Sequence, residues 1–418
     1  MAEQPPATRV YLPPDGGPRE AGPGHVLQLV ASGTARTRAA IANATGLSRP
    51  TVAQRLESLF AAGLVRESAE TESSGGRPAK VLTFQASAAV VLCVDIGEAR
   101  TRVAVADLVA GILAEEVVAV PVAAGPEALL RRVVATARAL LDEPEVPHAP
   151  LAAVGVGLPA PVDFATGRPV GWSVMAGWDG YDVRAHLGGV FDVPVVVDND
   201  VNLLTLAEHR TRWPDERHLF YVKAGTGIGS GIVSDGRVNR GALGAAGDIG
   251  HARLSGYGDP ACRCGNAGCL EALAGGWALA RDLSGDGSAG EIREARDVLT
   301  LVRRGNDDAV RRLRDAGRTL GEAVAYATSL LNPRVIVIGG MLAATGDHLI
   351  AGVREVVYQR SLPLATRELT ITTTQLDHHG GVIGAAYLAA DSVLDPATVD
   401  RALARSDGET RTLRWVLA

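Results

Sequence analysis

Three of the chain's four cysteines, Cys262, Cys264 and Cys269, fall within eight positions of "GHARLSGYGDPACRCGNAGCLE", which begins at Gly250. His251 lies eleven residues before the first of them. Three thiolates and one imidazole complete the tetrahedral shell of zinc and leave no open position for a catalytic water. The spacing therefore predicts a closed, structural metal knuckle, with Gly265 and Gly268 supplying its turns. An odd number of clustered cysteines in a reducing compartment disfavours a disulfide, and buried free thiols are the alternative.

The other bounds come from composition. A chain of 418 residues, 47% hydrophobic and 21% charged, reads as soluble and globular with two or three domains. No apolar run reaches the length of a membrane span, and "MAEQPPATRVYLPPDGGPREAGPG" lacks the basic and apolar regions of a signal peptide. A cytoplasmic protein with no membrane partner is expected. The net charge of −6 is uneven: His25 to Arg66 carries five arginines and one glutamate, +4, which leaves −10 for the rest. Either a basic module binds a polyanion, or a helix surface is merely solvated.

Residues 1–24, rich in Pro and Gly, predict a disordered arm. Residues 25–85 predict a winged helix-turn-helix. Val26, Leu27 and Val30 share one helical face, and Ile41 and Ala42 mark a second helix. "TGLS" turns at Gly46, Ser48 caps a third helix, and Val52, Leu56 and Leu59 recur at helical spacing. Arg49, Thr51, Gln54 and Arg55 are left at the outward N-terminal side of that helix, where such motifs read the major groove. "GLVRESAETESSGGRPAKVLTF" reads as strand, turn, strand, a wing whose tip carries Arg77 toward the DNA backbone or minor groove. A three-helix protein-interaction domain is the alternative.

From Val90 the texture is that of an α/β body. Buried strands end in Gly or carboxylate loops that feed helices, and ligands in such folds sit at strand ends. Asp95 in "DIG", Gly225, Gly227, Gly229 and Gly231 in "GTGIGSG", and Gly339–Gly340 are candidates for cradling phosphates. The "GTGIGSG" run also fits a tight hairpin. Asp200 reads either as a general base toward a hydroxyl or as the cap of the following helix.

"GTGIGSGIV", "GALGAAGDIGH", "CRCGNAGCLE" and "LNPRVIVIGG", in this order behind a winged helix-turn-helix, resemble the ROK family of repressors, open reading frames and kinases, from about residue 25 to about 390. The resemblance implies a two-lobed actin/hexokinase-like body: a first lobe over 86–200 plus about 380–395, a second over 201–379, and a C-terminal tail over 396–418. It implies zinc held by His251, Cys262, Cys264 and Cys269, and sugar contacted by Asn199, Asp200, Asp248, His251 and Glu271. Asp248 stands where the family has Glu. His251 would bind metal through one ring nitrogen and face the sugar with the other.

The family's kinases carry Asp-x-Gly-Gly-Thr in their first phosphate loop. Here Asp95 and Gly97 are present, but Glu98 and Ala99 replace the second Gly and the Thr. Asp95, Gly97, Gly225, Thr226, Gly227, Gly229, Gly339 and Gly340 then form a vestigial nucleotide site. Winged members of the family are mostly sugar-responsive transcription factors. The resemblance therefore implies a repressor, dimeric or tetrameric, that binds operator DNA and takes a sugar or sugar phosphate between its lobes, with no catalytic residue. The alternatives are an active sugar kinase using ATP and Mg2+ with Asp200 as base, and a regulator governed by a protein partner.

Overall fold

The computed structural model describes residues 21–72, 79–171, 175–284, 292, 294–344 and 346–405. Three helices lead: α1 (Pro23–Ala31), α2 (Arg38–Thr45) and α3 (Arg49–Ala61). Strands β1 (Val65–Glu72) and β2 (Ala79–Phe84) follow as an antiparallel ribbon, with Val65 opposite Phe84. Thr37 caps α2 and Ser48 caps α3, each accepting from an amide three residues on. Gly46 between them takes φ 71°, a left-handed turn open to glycine. Val26, Leu27, Ile41, Val52, Leu56 and Leu59 are all buried. The helices, turn and ribbon thus stand in the order expected. The ribbon's tip, with Arg77, and residues 1–20 of the expected arm lie outside the described residues.

A five-stranded sheet is built from β3 (Val90–Ile96), β4 (Thr101–Asp107), β5 (Ile112–Val118), β6 (Leu151–Leu158) and, after two minor strands β7 (Val162–Asp163) and β8 (Arg168–Pro169), β9 (Val195–Asn199). Its order is β5-β4-β3-β6-β9. Helices α4 (Pro126–Leu141) and α5 (Val183–Phe191) connect its strands. β3 is apolar and buried along almost its whole length, as a central strand covered on both faces must be.

The second sheet follows α6 (Asp200–Arg212) and contains β10 (Leu219–Ala224), β11 (Ile228–Ser234), β12 (Arg237–Val238), β13 (Val335–Gly339) and β14 (Thr370–Thr373), in the order β12-β11-β10-β13-β14. Around it are α7 (Leu270–Ala274), α8 (Gly276–Ser284), α9 (Ala295–Arg303), α10 (Asp307–Leu331), α11 (His348–Arg360) and α12 (Pro363–Thr366). Both sheets follow one plan. Three consecutive strands pair antiparallel, and a fourth joins parallel to the first of them. No sequence repeat accompanies this duplication. The last described elements are α13 (Gly380–Leu394) and α14 (Pro396–Arg405). Among the described residues no single helix is long and apolar enough to cross a membrane.

The chain divides into two compact units, Met1–Gly157 with Tyr181–Val197 and Val382–Ala418, and Leu158–Gly180 with Asp198–Gly381. The division differs from the expected boundaries in two ways. Leu158–Gly180 joins the second unit, because Gly244, lacking a Cβ, lets its loop press on the Val162 carbonyl. The expected tail over 396–418 begins as a helix: α14 packs on α1, and the Gly24 amide donates to Asp400 Oδ1 at 2.8 Å. Helical head and first sheet therefore form one compact unit. Residues 406–418 lie outside the described residues.

Candidate ligand site and metal knuckle

The knuckle forms as its spacing requires. Gly265 and Gly268 adopt φ 84° and 72°, folding Cys262–Cys269 back on itself, and Cys262 and Asn266 close the turn by an amide-to-carbonyl bond of 2.8 Å. The ligand atoms of His251, Cys262, Cys264 and Cys269 all lie within 4.8 Å of one another. Cys264 Sγ and Cys269 Sγ are 3.6 Å apart, and Cys262 Sγ is 3.7 Å from His251 Nδ1. A disulfide would need about 2.05 Å. A tetrahedron with zinc–sulfur bonds of about 2.3 Å has edges of roughly 3.8 Å, so the spacing fits a metal. Burial and the two neighbouring thiols push the Cys269 thiol up to about 12, and burial raises Cys262. Burial opposes ionisation of Cys264 as well, but its hydrogen bonds with Asn266 and the two other thiols draw it down. Three thiolates this close together need a cation to neutralise them, which is what a bound zinc would supply. Since Nδ1 faces the sulfurs, Nε2 is the ring nitrogen left to turn elsewhere.

His251 is set by its own loop. Gly250 lies so close to β11 that a Cβ there would be 2.0 Å from the Ile228 carbonyl oxygen. This presses the segment Asp248–His251 onto the strand leaving the Gly-rich turn. Desolvation holds the Asp248 carboxyl above the usual aspartate range; Glu271 pushes the same way and His251 opposes it.

Asn199 and Asp200 occupy the junction of β9 and α6. Asn199 caps the helix, its Oδ1 accepting from the Val201 amide at 2.9 Å and its Nδ2 donating to the Ala160 carbonyl at 2.9 Å. The cap is therefore Asn199 and not Asp200, which was the alternative role open to Asp200. Asp200 is the first helical residue, 5% exposed, and Lys223 Nζ donates to its Oδ2 at 2.5 Å. Beside them Asp198 is 1% exposed and saturated. It accepts from the Asn199 amide, Asn202 Nδ2 and Arg240 Nε, the last at 2.6 Å. Glu271 is equally committed: Oε2 accepts from the Ile228 amide and Oε1 from Trp277 Nε1, both at 3.1 Å.

The run 224–231 is a hairpin, with β10 and β11 antiparallel and the turn at 225–227. Gly227 sits against Glu271, where a Cβ would fall 2.4 Å from Oε2. Gly229 and Gly231 lie within β11 and face α6, with Val201 and Thr205 filling the space of the missing side chains. Their part is packing, so of the expected cradle only Gly225, Thr226 and Gly227 occupy the turn. Gly339 and Gly340 reach the same end of the sheet, since Lys223 and Gly339 are parallel neighbours. In the first unit Asp95 is the penultimate residue of β3, and the Gly97 amide closes the turn to β4 by donating to the Arg100 carbonyl at 2.9 Å. Glu98 follows in that turn, and its carbonyl accepts from the Val122 amide.

On the head, Arg49 and Gln54 are exposed on α3 and Thr51 is half-buried, bonded through its hydroxyl to Ser48. Arg55 is less outward than expected: it is half-buried, and its Nε is sealed from solvent.

The sequence profile of the ROK family matches residues 91–392. This chain belongs to the ROK family. Among its ROK relatives, the xylose repressor of Caldicellulosiruptor bescii is 26% identical over 384 residues, covering 88% of this chain and 95% of the relative. A glucokinase of Halalkalibacterium halodurans is 30% identical over 251 residues, 57% of this chain and 76% of the relative. In fold, this ROK chain is similar to a ROK family transcriptional regulator described as a homologue of the E. coli MLC protein, with TM-score 0.77, 23% identity, and coverage of 90% and 96%.

Sequence reasoning passed over two residues that brace this candidate site. Lys223, the counter-ion of Asp200, is one of only two lysines among 41 cationic residues, and that rarity was the available signal. Arg240, the counter-ion of Asp198, left none.

Proposed function

We propose that this chain is a sugar-responsive DNA-binding transcriptional regulator, and a repressor of genes for carbohydrate uptake or use. The carrying observation is the extent of its likeness. The match to the xylose repressor covers 88% of 418 residues, about 368, more than the 333 residues of 86–418, so it extends into the helical head. The glucokinase match, 57%, needs only the body.

On this reading Arg49, Thr51 and Gln54 meet operator DNA, with Arg55 and Arg77 beside them, and a homodimer or homotetramer in the cytoplasm places paired heads on a palindromic site. Asn199, Asp200, Asp248, His251 and Glu271 meet the sugar or sugar phosphate. Zinc held by His251, Cys262, Cys264 and Cys269 is structural. An effector that favours one state of the regulator over another then shifts DNA affinity by its difference in affinity for the two.

The nucleotide residues Asp95, Gly97, Gly225, Thr226, Gly227, Gly339 and Gly340 are vestigial. Glu98 opposes phosphate, and Lys223 ties up Asp200, the carboxylate that a kinase reading would use as its base. The glucokinase relative supports the kinase as second reading.

The test uses the full chain. It should enrich a palindromic sequence from random DNA and release it on addition of one sugar or sugar phosphate from a panel that includes D-xylose, D-glucose and N-acetylglucosamine. ATP-dependent phosphorylation of a sugar by the wild type, abolished in Asp200→Asn, would overturn the reading in favour of the kinase.

A further inference from the structure

Trp277, in the first turn of α8, carries no role so far, yet it touches three parts of the second unit. Its ring packs on the knuckle, against the cluster of Cys262, Cys269 and Ala272. Arg263, between two of the cysteines, lays its guanidinium 5.0 Å from the ring centroid, and Arg281 lies at 5.2 Å. The ring's edge donates Nε1–H to Glu271 Oε1 at 3.1 Å, and the Trp277 amide donates to the Thr226 carbonyl at 3.1 Å. Glu271 in turn accepts the Ile228 amide on the strand that leaves the Gly225–Gly227 turn.

We infer that Trp277 is a positioning residue that couples order in the cysteine knuckle to Glu271 and to the Gly225–Gly227 turn. An indole is rigid and turns only about two torsions, so whatever fixes its face also aims its N–H. Here the knuckle's thiols and Arg263 fix the face, with the guanidinium held over the ring by its quadrupole. The aimed N–H holds one oxygen of Glu271, which leaves the other turned to Ile228. Loosening of the knuckle removes the wall behind the ring and frees the indole, and Glu271 loses the donor that orients it. The consequence for effector binding rests on the reading of Glu271 as a sugar contact; the coupling itself does not.

Two measurements on the full chain test it without any sugar. The first is fluorescence. The difference in emission between wild type and Trp277→Phe isolates this indole from the other four tryptophans. It should shift to the red when zinc is withdrawn by a chelator, and return when zinc is restored. Arg263→Ala, an exposed change outside the metal shell, should give part of the shift with zinc still bound at one equivalent. The second is amide exchange. Trp277→Phe keeps an aromatic ring against the knuckle but loses the N–H together with the five-membered half of the indole, so the Ile228 amide should exchange about five- to tenfold faster, the ratio for one lost hydrogen bond, while knuckle amides stay protected. A difference emission blind to zinc, or unchanged Ile228 exchange in Trp277→Phe, overturns the coupling. Absence of zinc binding overturns the metal assignment instead, and the exchange comparison still decides the role of Trp277.

Discussion

At the scale of single residues, the ion pair between Asp200 and Lys223 couples stability to the proposed ligand site. Asp200 is 5% exposed, and Lys223 keeps 31% of its side chain accessible. Removing one partner of a buried pair strands the other charge and costs 3–5 kcal/mol when both are sealed. With Lys223 partly screened by water, Lys223→Met should cost about 2 kcal/mol, and the double variant Lys223→Met/Asp200→Asn should recover most of it. Urea unfolding reads both; a single variant within about 0.5 kcal/mol of wild type would show that the pair is not structural. His209 makes a second prediction. Burial first, and then Arg210, draw it from about 6.5 down to about 4, against the pull of the Glu216 carbonyl on its Nε2. Below pH 6.5 the unfolded chain takes up a proton that the folded chain refuses, so stability falls as pH drops from 6.5 toward 4. The loss is about 3 kcal/mol for a shift of this size. Glu208 beside it, raised by burial, acts with the opposite sign, so the diagnostic is a comparison. His209→Gln should flatten the stability–pH curve between 4 and 6.5, and an unchanged slope would remove His209 as its cause.

At the scale of elements, α3 and the knuckle separate binding from stability. Arg49 is exposed at the start of α3, so Arg49→Ala should weaken operator binding by about 1–3 kcal/mol and leave the melting temperature unchanged. Arg55 is half-buried, and Arg55→Ala should lower the melting temperature as well as DNA affinity. Gel-shift titration beside thermal melting distinguishes the two arginines. If Arg55→Ala leaves the melting temperature where it was, its sealed Nε has no structural weight. The knuckle should hold one zinc per chain. Chelation or Cys264→Ser should destabilise the second unit, because α7 begins at the residue after Cys269 and its start is held by the knuckle. Elemental analysis that finds no metal in protein purified without chelator would rule this out.

For the whole molecule the question is what remains of a kinase. Phosphoryl transfer depends on positioning and on neutralising developing charge. Glu98 places a carboxylate in the turn after β3, and a like charge 4 Å from a phosphate costs roughly 4 kcal/mol at an effective dielectric of about 20. Glu98→Gly with Ala99→Thr should therefore raise nucleotide affinity, read by calorimetry with a non-hydrolysable ATP analogue. Wild type should turn over no sugar in a coupled assay of ADP formation. If the double variant binds nucleotide no better than wild type, Glu98 is not the obstacle.

The sequence by itself determined what is local. Cys-x-Cys-x4-Cys behind a histidine already specified the knuckle, because four ligands and two glycines within 19 residues leave few ways to close a tetrahedron. Ser48, Gly46 and the helical recurrence of Val52, Leu56 and Leu59 specified the turn between α2 and α3 in the same way. Tertiary structure decided what depends on neighbours far along the chain. Asp200 meets Lys223 only because α6 packs beside β10, and Gly229 proves to be a packing residue only once Val201 lies against it. Gly24 finds Asp400 across 376 residues, and Trp277 joins Arg263 to Glu271 through the shape of one ring. Periodicity and spacing register chemistry within a few turns of chain, whereas burial and ion pairing are settled by whichever surfaces the packed fold brings together.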